Sequence, residues 1–337
     1  MRKIVLEAFG GPEGLVEREV PEPELPSDGY LIRVEAAGLN FAEIVERRGK
    51  YRKDQKLPYE IGKEVCGTVL AVGPEAPKPN AGGFAEGDSV IVIRFGGGCW
   101  AELVAARPPE VLAKPAHLSA VQGAAFAISF ATAWYAQEEL ARARAGEGAL
   151  IQAAAGGTGT AAVALAKARG LGPIFGTAGS DQKCALLESL GVDHAVNYRQ
   201  SDFAEVVREA TGGAGVGYCL ESVGGDVFDR SVKSLGPMGR LVLIGFSSVS
   251  DDYANAVARL HPLSLFHRSL GLFGLNVENL NFPGRSDVWA RLVAVAEKHK
   301  LVPHVGQTFE LAEAGRAQAA IEARQTTGKV VLVPERS

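Results

Sequence analysis

Between residues 148 and 246 the chain alternates short apolar, β-branched runs with longer runs of helical spacing, and this constrains the fold most. The pattern predicts strands at 148–154, 173–177, 195–198, 215–220 and 240–246, separated by helices at 158–169, 181–190, 202–210 and 226–235. Strands alternating with helices of that length imply βαβ crossovers and a parallel sheet, hence an α/β fold of the doubly wound Rossmann type. The first of these strands runs into Ala153-Ala154-Ala155-Gly156-Gly157-Thr158-Gly159. This is a glycine fingerprint of the G-x-G-x-x-G type with Ala154 in the first glycine position. Glycine is needed where backbone approaches a pyrophosphate and where helix packs on strand, and the helix N-terminus offers its N–H groups to the phosphates. A glycine-rich turn alone is a weak signal in an alanine-rich chain. Followed by the whole βαβαβ series, it reads as a dinucleotide site.

The flanking segments differ in texture. Residues 29–37, 61–72 and 90–93 read as strands, Pro21, Pro23 and Pro26 as an extended connector, and Pro74 to Gly87 as a surface loop. After about residue 275 come a helix at 287–299, a strand, a helix at 311–324 and a last strand, Lys329 to Val333. This tail is more like the first third than the middle. The expected organisation is a β-rich domain over 1–122, a nucleotide-binding domain over 123–275, and a return to the first domain over 276–337. The net charge of −4 leaves no global basic field for nucleic acid. Met1 to Leu6 meets Glu7 too early for a secretory segment, and the most apolar stretch, 149–166, is too polar to cross a membrane. A cytoplasmic protein is therefore expected. Cys66, Cys99, Cys184 and Cys219 contain no C-x-x-C pair, which suits reduced thiols rather than a disulfide or metal cluster.

The choice of dinucleotide rests on the second strand. NAD-specific folds place an acid about 20 residues past the motif, on the ribose hydroxyls. Here that position reads Gly176-Thr177-Ala178, without an acid. Ser180, Lys183 and Tyr198 follow, and a hydroxyl, a cation and a phenol suit a 2′-phosphate. Lys183 as a solvated helix residue is the plain alternative. Asp181 would repel that phosphate. These residues favour NADPH and leave NADH open.

Many of these pieces together resemble the medium-chain dehydrogenase/reductase superfamily, in its zinc-independent quinone oxidoreductase and vesicle-amine-transport-1-like branch. The matching stretches include Gly38 to Glu43, Arg47-x-Gly49-x-Tyr51, Ile61 to Glu64 with Gly67, Thr132 to Tyr135, Ala153 to Gly159, Leu190 to His194, Val223 to Gly225, Gly236-x-x-Gly239-Arg240 and Gly328 to Pro334. The resemblance implies a GroES-like catalytic domain around an inserted Rossmann domain, an active site in the cleft between them, and a homodimer joined around residues 268–275. It implies that Ala155, Gly156, Gly157, Thr158 and Gly159 hold the pyrophosphate, with Ser180, Lys183 and Tyr198 at the 2′-phosphate. It implies further that Asn40, Thr132 and the backbone near Phe246 and at Phe273, Gly274 and Leu275 border the nicotinamide, that Val223 and Gly245 complete the cofactor site, and that Tyr51 faces the substrate.

Zinc-dependent members carry a Cys and a His-Glu pair as ligands, where this chain has Asn40 and Lys63-Glu64. A protonated Lys cannot ligate zinc, so no metal site is expected. Without a Lewis acid, the accessible acceptors delocalise charge themselves: quinones, enones, enals or enoyl thioesters. Asn40 and Tyr51 are the candidate donors to the acceptor oxygen, although a packing aromatic is an ordinary role for Tyr51. Quinone reductases of the family carry a further Tyr where this chain has Val45, which weakens a strict quinone assignment.

From Glu46 to Lys56, ERRGKYRKDQK carries six basic residues against Glu46 and Asp54. A solvated face is one reading; a cradle for coenzyme A phosphates, and hence an enoyl-CoA substrate, is another; an anionic membrane surface is a third. A different class of function is a cofactor-binding protein of little turnover. Ser119, His117 and Glu221 are too scattered to suggest an acid–base constellation, and His194 reads as a packing residue.

Overall fold

A computed structural model describes residues 1–52, 54–248, 262–280, 282 and 284–335. The chain divides into two compact units, Met1–Ile128 with Glu278–Ser337, and Ser129–Val277. The first unit opens with β1 (Arg2–Leu6), β2 (Leu15–Glu19), β3 (Tyr30–Leu39), α1 (Phe41–Arg47) and β4 (Tyr59–Glu60). It continues through β5 (Glu64–Val72), β6 (Ser89–Ile93), β7 (Leu103–Ala106) and β8 (Val111–Ala113), and α2 (Ala120–Trp134) leads on into the second unit. There follow β9 (Ala149–Ile151), α3 (Gly157–Ala168), β10 (Ile174–Ala178), α4 (Asp181–Ser189), β11 (His194–Asn197) and α5 (Phe203–Ala210). The series ends with β12 (Val216–Glu221), α6 (Gly225–Ser234), β13 (Leu235–Leu243), α7 (Pro262–Arg268) and β14 (Gly271–Gly274). The closing segment supplies α8 (Ser286–His299), β15 (Val305–Glu310), α9 (Ala314–Glu322) and β16 (Lys329–Val333).

The larger sheet of the first unit has the order β15-β16-β3-β5-β6-β8, with β7 also paired to β3, and β2-β1-β4 form a separate small sheet. Strand β3 sets the position of Asn40 and α1 at its carboxyl end. Its first half alternates, with Tyr30, Ile32 and Val34 buried and Arg33 exposed, as a half-covered strand should. Its second half, Ala36-Ala37-Gly38-Leu39, is enclosed on both sides. The crowding is tightest at Gly38, where a β-carbon would lie 2.5 Å from Ala124 O and 2.6 Å from Glu64 Oε1. The closing strand β16 runs antiparallel beside this half, Val331 opposite Gly38. Trp100 packs beneath it, fully buried, its indole N–H donating to Gly38 O at 3.2 Å.

The second unit holds a six-stranded sheet, β11-β10-β9-β12-β13-β14, in which every pair is parallel. Strands β9 and β10 are buried throughout, as parallel strands with both faces covered must be. The strand order reverses between β9 and β12, the switch point at which such sheets bind ligands. On one face Phe175 stacks on His194 with ring centroids 4.7 Å apart, so that His194 is a packing residue.

The strands and helices of the central series lie close to their expected places. The first strand is shorter than the expected 148–154 because the chain turns after Ile151. The expected 240–246 strand ends at Leu243 and begins earlier, at Leu235. The hairpin β1–β2 and helices α1 and α2 were not anticipated. Helix α2 shows why: Ala124 to Ala127 are four consecutive buried residues, so it has no polar face and no amphipathic period. Among the described residues no helix is long and apolar enough to cross a membrane.

Replacing Trp100 with Ala should lower stability by about 3–5 kcal/mol through the cavity it leaves. Trp100→Phe should cost less while still leaving Gly38 O without its donor. Denaturant unfolding of both variants checks this order, and a loss below about 1 kcal/mol for Trp100→Ala would show that the site collapses freely.

Candidate functional site

The glycine turn sits at the carboxyl end of β9. Ala153 occupies the left-handed region at φ +49°, a conformation costly for a residue with a β-carbon. A buried chain of hydrogen bonds holds it there. The Ala153 N–H donates to Thr177 Oγ1 (3.2 Å), Thr177 Oγ1 donates to Gln152 Oε1 (2.6 Å), and Gln152 Nε2 donates to Ser231 Oγ (2.9 Å). Gly156 then takes the N-cap position of α3 with no side chain to cap the helix. The first-turn N–H groups of this 12-residue helix thus have no side-chain cap among the described residues, which is the chemistry an anion seeks. Gly159 is the packing glycine: a β-carbon would lie 2.4 Å from Ala153 O and 2.6 Å from Ala154 Cα.

Gly176, the position at which an acid was sought, lies inside β10 rather than at its end. A β-carbon there would come within 3.1–3.2 Å of Ala154, Leu187 and Val192, so it gives room to the alanine that replaces the first motif glycine. The strand ends at Ala178, and no acid stands at Gly179 or Ser180 either. Ser180 caps α4, its side chain accepting the Lys183 N–H at 3.3 Å. The Tyr198 N–H donates to Ala178 O (3.1 Å), and its hydroxyl lies where a Gly179 β-carbon would be only 2.7 Å away. Ser180, Lys183 and Tyr198 are therefore gathered at the ends of β10 and β11.

The remaining strand ends form the same edge of the sheet. At the end of β12 the buried Glu221 carboxylate accepts the N–H groups of Val223 (2.8 Å) and Gly224 (3.0 Å), fixing the turn into α6. Burial pushes this carboxyl up to about 7 against the pull of those N–H groups. The Ser247 and Ser248 N–H groups donate to Ser222 O and Val223 O, which brings the Gly245–Phe246 segment beside Val223. The Leu275 N–H donates to Leu243 O at 2.9 Å, placing Phe273, Gly274 and Leu275 next in the row. Thr132 lies half-buried in α2, outside this row.

The first unit carries a buried cluster of charges. Asn40 follows β3 and begins α1, whose Glu43 side chain accepts the Asn40 backbone N–H at 2.7 Å. The Asn40 amide is fully engaged: Nδ2 donates to Glu64 Oε1 (2.8 Å) and Glu43 Oε1 (3.3 Å), while Oδ1 accepts from Lys329 Nζ (2.6 Å). Lys329 also binds Glu64 Oε1 at 2.6 Å, and Glu64 Oε2 accepts the Ile128 N–H at 2.7 Å. Lys63, 2% exposed, pairs with Glu46 at 2.9 Å and lies 4.0 Å from the centre of the Tyr51 ring. The Tyr51 hydroxyl donates to Glu278 Oε2 at 3.0 Å, and Arg52 binds the other oxygen of the same carboxylate. Burial and the adjacent Glu278 push the Tyr51 hydroxyl above its usual value, so it is a neutral donor.

Charge balance in this cluster singles out Glu43. Lys63 serves Glu46, Lys329 serves Glu64 and Arg52 serves Glu278, which leaves Glu43, among the described residues, without a cation of its own. Burial, eased by Lys63 and aggravated by Glu46, raises Glu43 to about 7.

Two expectations change here. Asn40, expected as a donor to the acceptor oxygen, has both amide hydrogens on carboxylates. The 46–56 segment is not a free basic surface either. Arg47 is buried and binds Glu322, Arg48 binds Glu322, and Arg52 binds Glu278, so three of the cations are held by two carboxylates within the protein. Lys53 lies outside the described residues. The paired arginines belong to the fold, while Lys50 and Lys56 are exposed. No local signal in the sequence identifies Glu322 or Glu278 as partners. Val45 is a core residue of α1. All four cysteines are free and buried, with Cys66 and Cys99 pushed up to about 12 by burial. Ser119 accepts the Gln122 N–H, and His117 Nε2 contacts Leu301 O, so these two serve local structure.

A parallel Rossmann-type sheet on one chain with a GroES-like unit defines a class of NAD(P)H-dependent oxidoreductases. Residues 26–116 match the family described as alcohol dehydrogenase GroES-like domain, and residues 157–295 that described as zinc-binding dehydrogenase. Quinone oxidoreductase-like protein 2 of Bos taurus is 31% identical over 318 residues, covering 94% of this chain and 88% of that protein. The mycocerosic acid synthase-like polyketide synthase of Mycobacterium tuberculosis is 33% identical over 311 residues, 91% of this chain but 14% of that protein. The solved structure of mycobacterial Rv1454c complexed with NADPH superposes with a TM-score of 0.87 at 31% identity, covering 99% of this chain and 100% of the other. The chain belongs to the medium-chain dehydrogenase/reductase superfamily, in its quinone oxidoreductase branch.

A pH dependence follows from Glu43. Its folded value is raised from 4.5 to about 7, so its contribution to stability is complete below about 4.5 and lost as the pH rises through 7. Glu43→Gln keeps the acceptor for the Asn40 N–H and removes the titration. Relative to the parent, the variant should gain on the order of 1–3 kcal/mol between pH 5 and pH 8. Thermal unfolding at the two pH values reads this directly; an offset that does not change with pH would show that Glu43 is ionised throughout.

Proposed function

We propose that the protein is an NADPH-dependent reductase that transfers hydride to a conjugated carbonyl acceptor without a metal ion. The observation that carries the metal-free chemistry is the Lys63–Glu46 pair at 2.9 Å. A protonated amine committed to a buried carboxylate cannot be a zinc ligand, and the neighbouring Glu64 is committed to Lys329 and Asn40. The acceptor must then spread its own developing charge.

NADPH fits the second unit because the uncapped α3 offers N–H groups to a pyrophosphate, and no acid stands at the end of β10 to claim a ribose hydroxyl. Ala155 to Gly159 would hold the pyrophosphate, Ser180, Lys183 and Tyr198 the 2′-phosphate, and Val223, Gly245, Phe246 and Phe273 to Leu275 the rest of the cofactor. Thr132 would border the nicotinamide. The NADPH-bound Rv1454c relative supports NADPH as the cofactor. Bound NADPH supplies a hydride. On the acceptor the hydride adds at the β carbon, the electron pair moves to the carbonyl oxygen, and a proton completes the reduction. Tyr51 donates to that oxygen by exchanging its hydrogen bond from Glu278, and its raised pKa keeps it protonated for the task. Asn40 acts as a positioning residue, tying the end of β3 to Glu64 and Lys329. The protein pairs as a homodimer across the open edge of β14, the last strand of its sheet.

Enoyl thioesters are the second acceptor class. The likeness to polyketide synthases supports them. The basic segment does not, since Arg47, Arg48 and Arg52 are paired within the protein.

NADPH oxidation should be measured against a quinone, an enone, an enoyl-CoA and a saturated ketone. Turnover is expected on conjugated acceptors only; activity confined to saturated carbonyls or alcohols would overturn the mechanism. Tyr51→Phe should lower kcat on an enone roughly 10–100-fold, the value of one donor at a developing oxyanion, with KM for NADPH nearly unchanged.

A further inference from the structure

Asp181 is the residue of the nucleotide-binding edge that opposes NADPH. It is the first residue of α4, adjacent to Ser180 and two before Lys183. An acid is electrostatically welcome at a helix start, but here it would face the 2′-phosphate of the cofactor. A free carboxylate in this neighbourhood would also accept the ribose hydroxyls of NADH, the pattern of NAD-specific sites.

Both oxygens of Asp181 are already taken. Asn197 Nδ2 donates to Oδ1 at 2.7 Å, and Gln200 Nε2 donates to Oδ2 at 3.1 Å. The donors are themselves fixed. Asn197 is the last residue of β11, in register with Ala178 of β10. Its side-chain oxygen accepts the Arg199 N–H at 3.2 Å, and its carbonyl accepts the N–H groups of Gln200 (2.9 Å) and Ser201 (3.0 Å). The Asn197 amide therefore faces Asp181 in the orientation that donates.

We propose that Asn197 and Gln200 form an amide clamp that turns the Asp181 carboxylate away from the adenosine ribose and so sets the preference for NADPH over NADH. The clamp acts twice. It occupies one acceptor position on each oxygen and fixes the direction in which the carboxylate points, so that a 2′-hydroxyl has less of it to bind and the negative charge is held off the 2′-phosphate. Asn197 and Gln200 are thus positioning residues for cofactor choice, and the proposal rests on Ser180, Lys183 and Tyr198 forming the 2′-phosphate site. It also explains how an acid next to Ser180 is compatible with that site.

The test is a set of titrations of the intact protein with NADPH and NADH, with folding of each variant confirmed by circular dichroism. Asn197→Ala combined with Gln200→Ala should raise Kd for NADPH about tenfold, the size of one unscreened like-charge contact near a surface, and leave Kd for NADH equal or lower. Adding Asp181→Asn to that background should restore NADPH binding. Gln200→Ala alone, on an exposed turn, should move the ratio in the same direction by a smaller factor. Lys183→Ala probes the underlying site and should weaken NADPH but not NADH. If Lys183→Ala weakens NADPH while the double variant does not, the clamp is wrong and the site stands. If Asp181→Asn fails to rescue, the amides serve only the turn and the clamp is again wrong. If Lys183→Ala leaves NADPH unaffected, the phosphate site itself is misplaced and the clamp falls with it.

Discussion

Two buried ion pairs, Lys63–Glu46 and Lys329–Glu64, set the chemistry available to the first unit. Taking four charges out of water costs several kcal/mol for each ion, and only close partners and further hydrogen bonds offset that cost. Glu64 meets that condition, with one oxygen receiving Lys329 and Asn40 and the other the Ile128 N–H, whereas Lys63 and Glu46 are held by their charge contact without a further hydrogen bond among the described residues. Such a group cannot be released to a ligand without leaving a buried cation unpaired. The network also ties distant parts of the chain to one another, since β5, the start of α1, α2 and β16 each contribute a member. Gly38 is small because Glu64 and Ala124 press upon it, and β16 lies beside β3 where Lys329 can reach Asn40.

The second unit solves a different electrostatic problem. Its parallel strands end on one edge, and its helices begin there with donors to spare. At α4 and α5 the side chains of Ser180 and Asp202 take up a first-turn N–H. At α3 Gly156 supplies no such group, and the same positive end is left for an external anion. Beneath it, the Ser231–Gln152–Thr177–Ala153 chain of hydrogen bonds holds a left-handed alanine in place.

Features carried by neighbouring residues were legible from the sequence; features carried by tertiary pairing were not. The glycine turn, the alternation of strand and helix, and the packing role of His194 could be read because turn chemistry and periodicity are local. Helix α2 escaped because complete burial removes the polar face that marks a helix. The pairing of the arginines in the 46–56 segment was hidden for a different reason. They are neighbours in sequence, but the carboxylates that bind them, Glu278 and Glu322, come from more than 200 residues away. The role of Gly176 was hidden because residue counting cannot see that Ala154, Leu187 and Val192 close on it inside β10. The engagement of Asn40 was equally hidden, since both of its acceptors and its donor belong to the folded cluster.

These differences bear on the kind of acceptor that fits. A metal site polarises a carbonyl with an external charge, and it needs ligands that are free to bind. Here the available polar groups are spent on one another: Asn40 on Glu43, Glu64 and Lys329; Lys63 on Glu46; Arg52 on Glu278. The Tyr51 hydroxyl stands apart because its partner, Glu278, is also held by Arg52. If Tyr51 turns to another acceptor, Glu278 still has Arg52, so no buried carboxylate is left bare. Moving Asn40 would instead strip a hydrogen bond from Glu64 and an acceptor from Lys329. In the mechanism we propose, the cheaper rearrangement would leave one neutral phenol to stabilise negative charge on oxygen, a modest contribution from the protein. A saturated ketone would concentrate that charge on a single atom and demand more than one donor. A conjugated acceptor would spread it through its own π system, which is why the proposed reading takes that class of acceptor, for which one neutral donor would suffice.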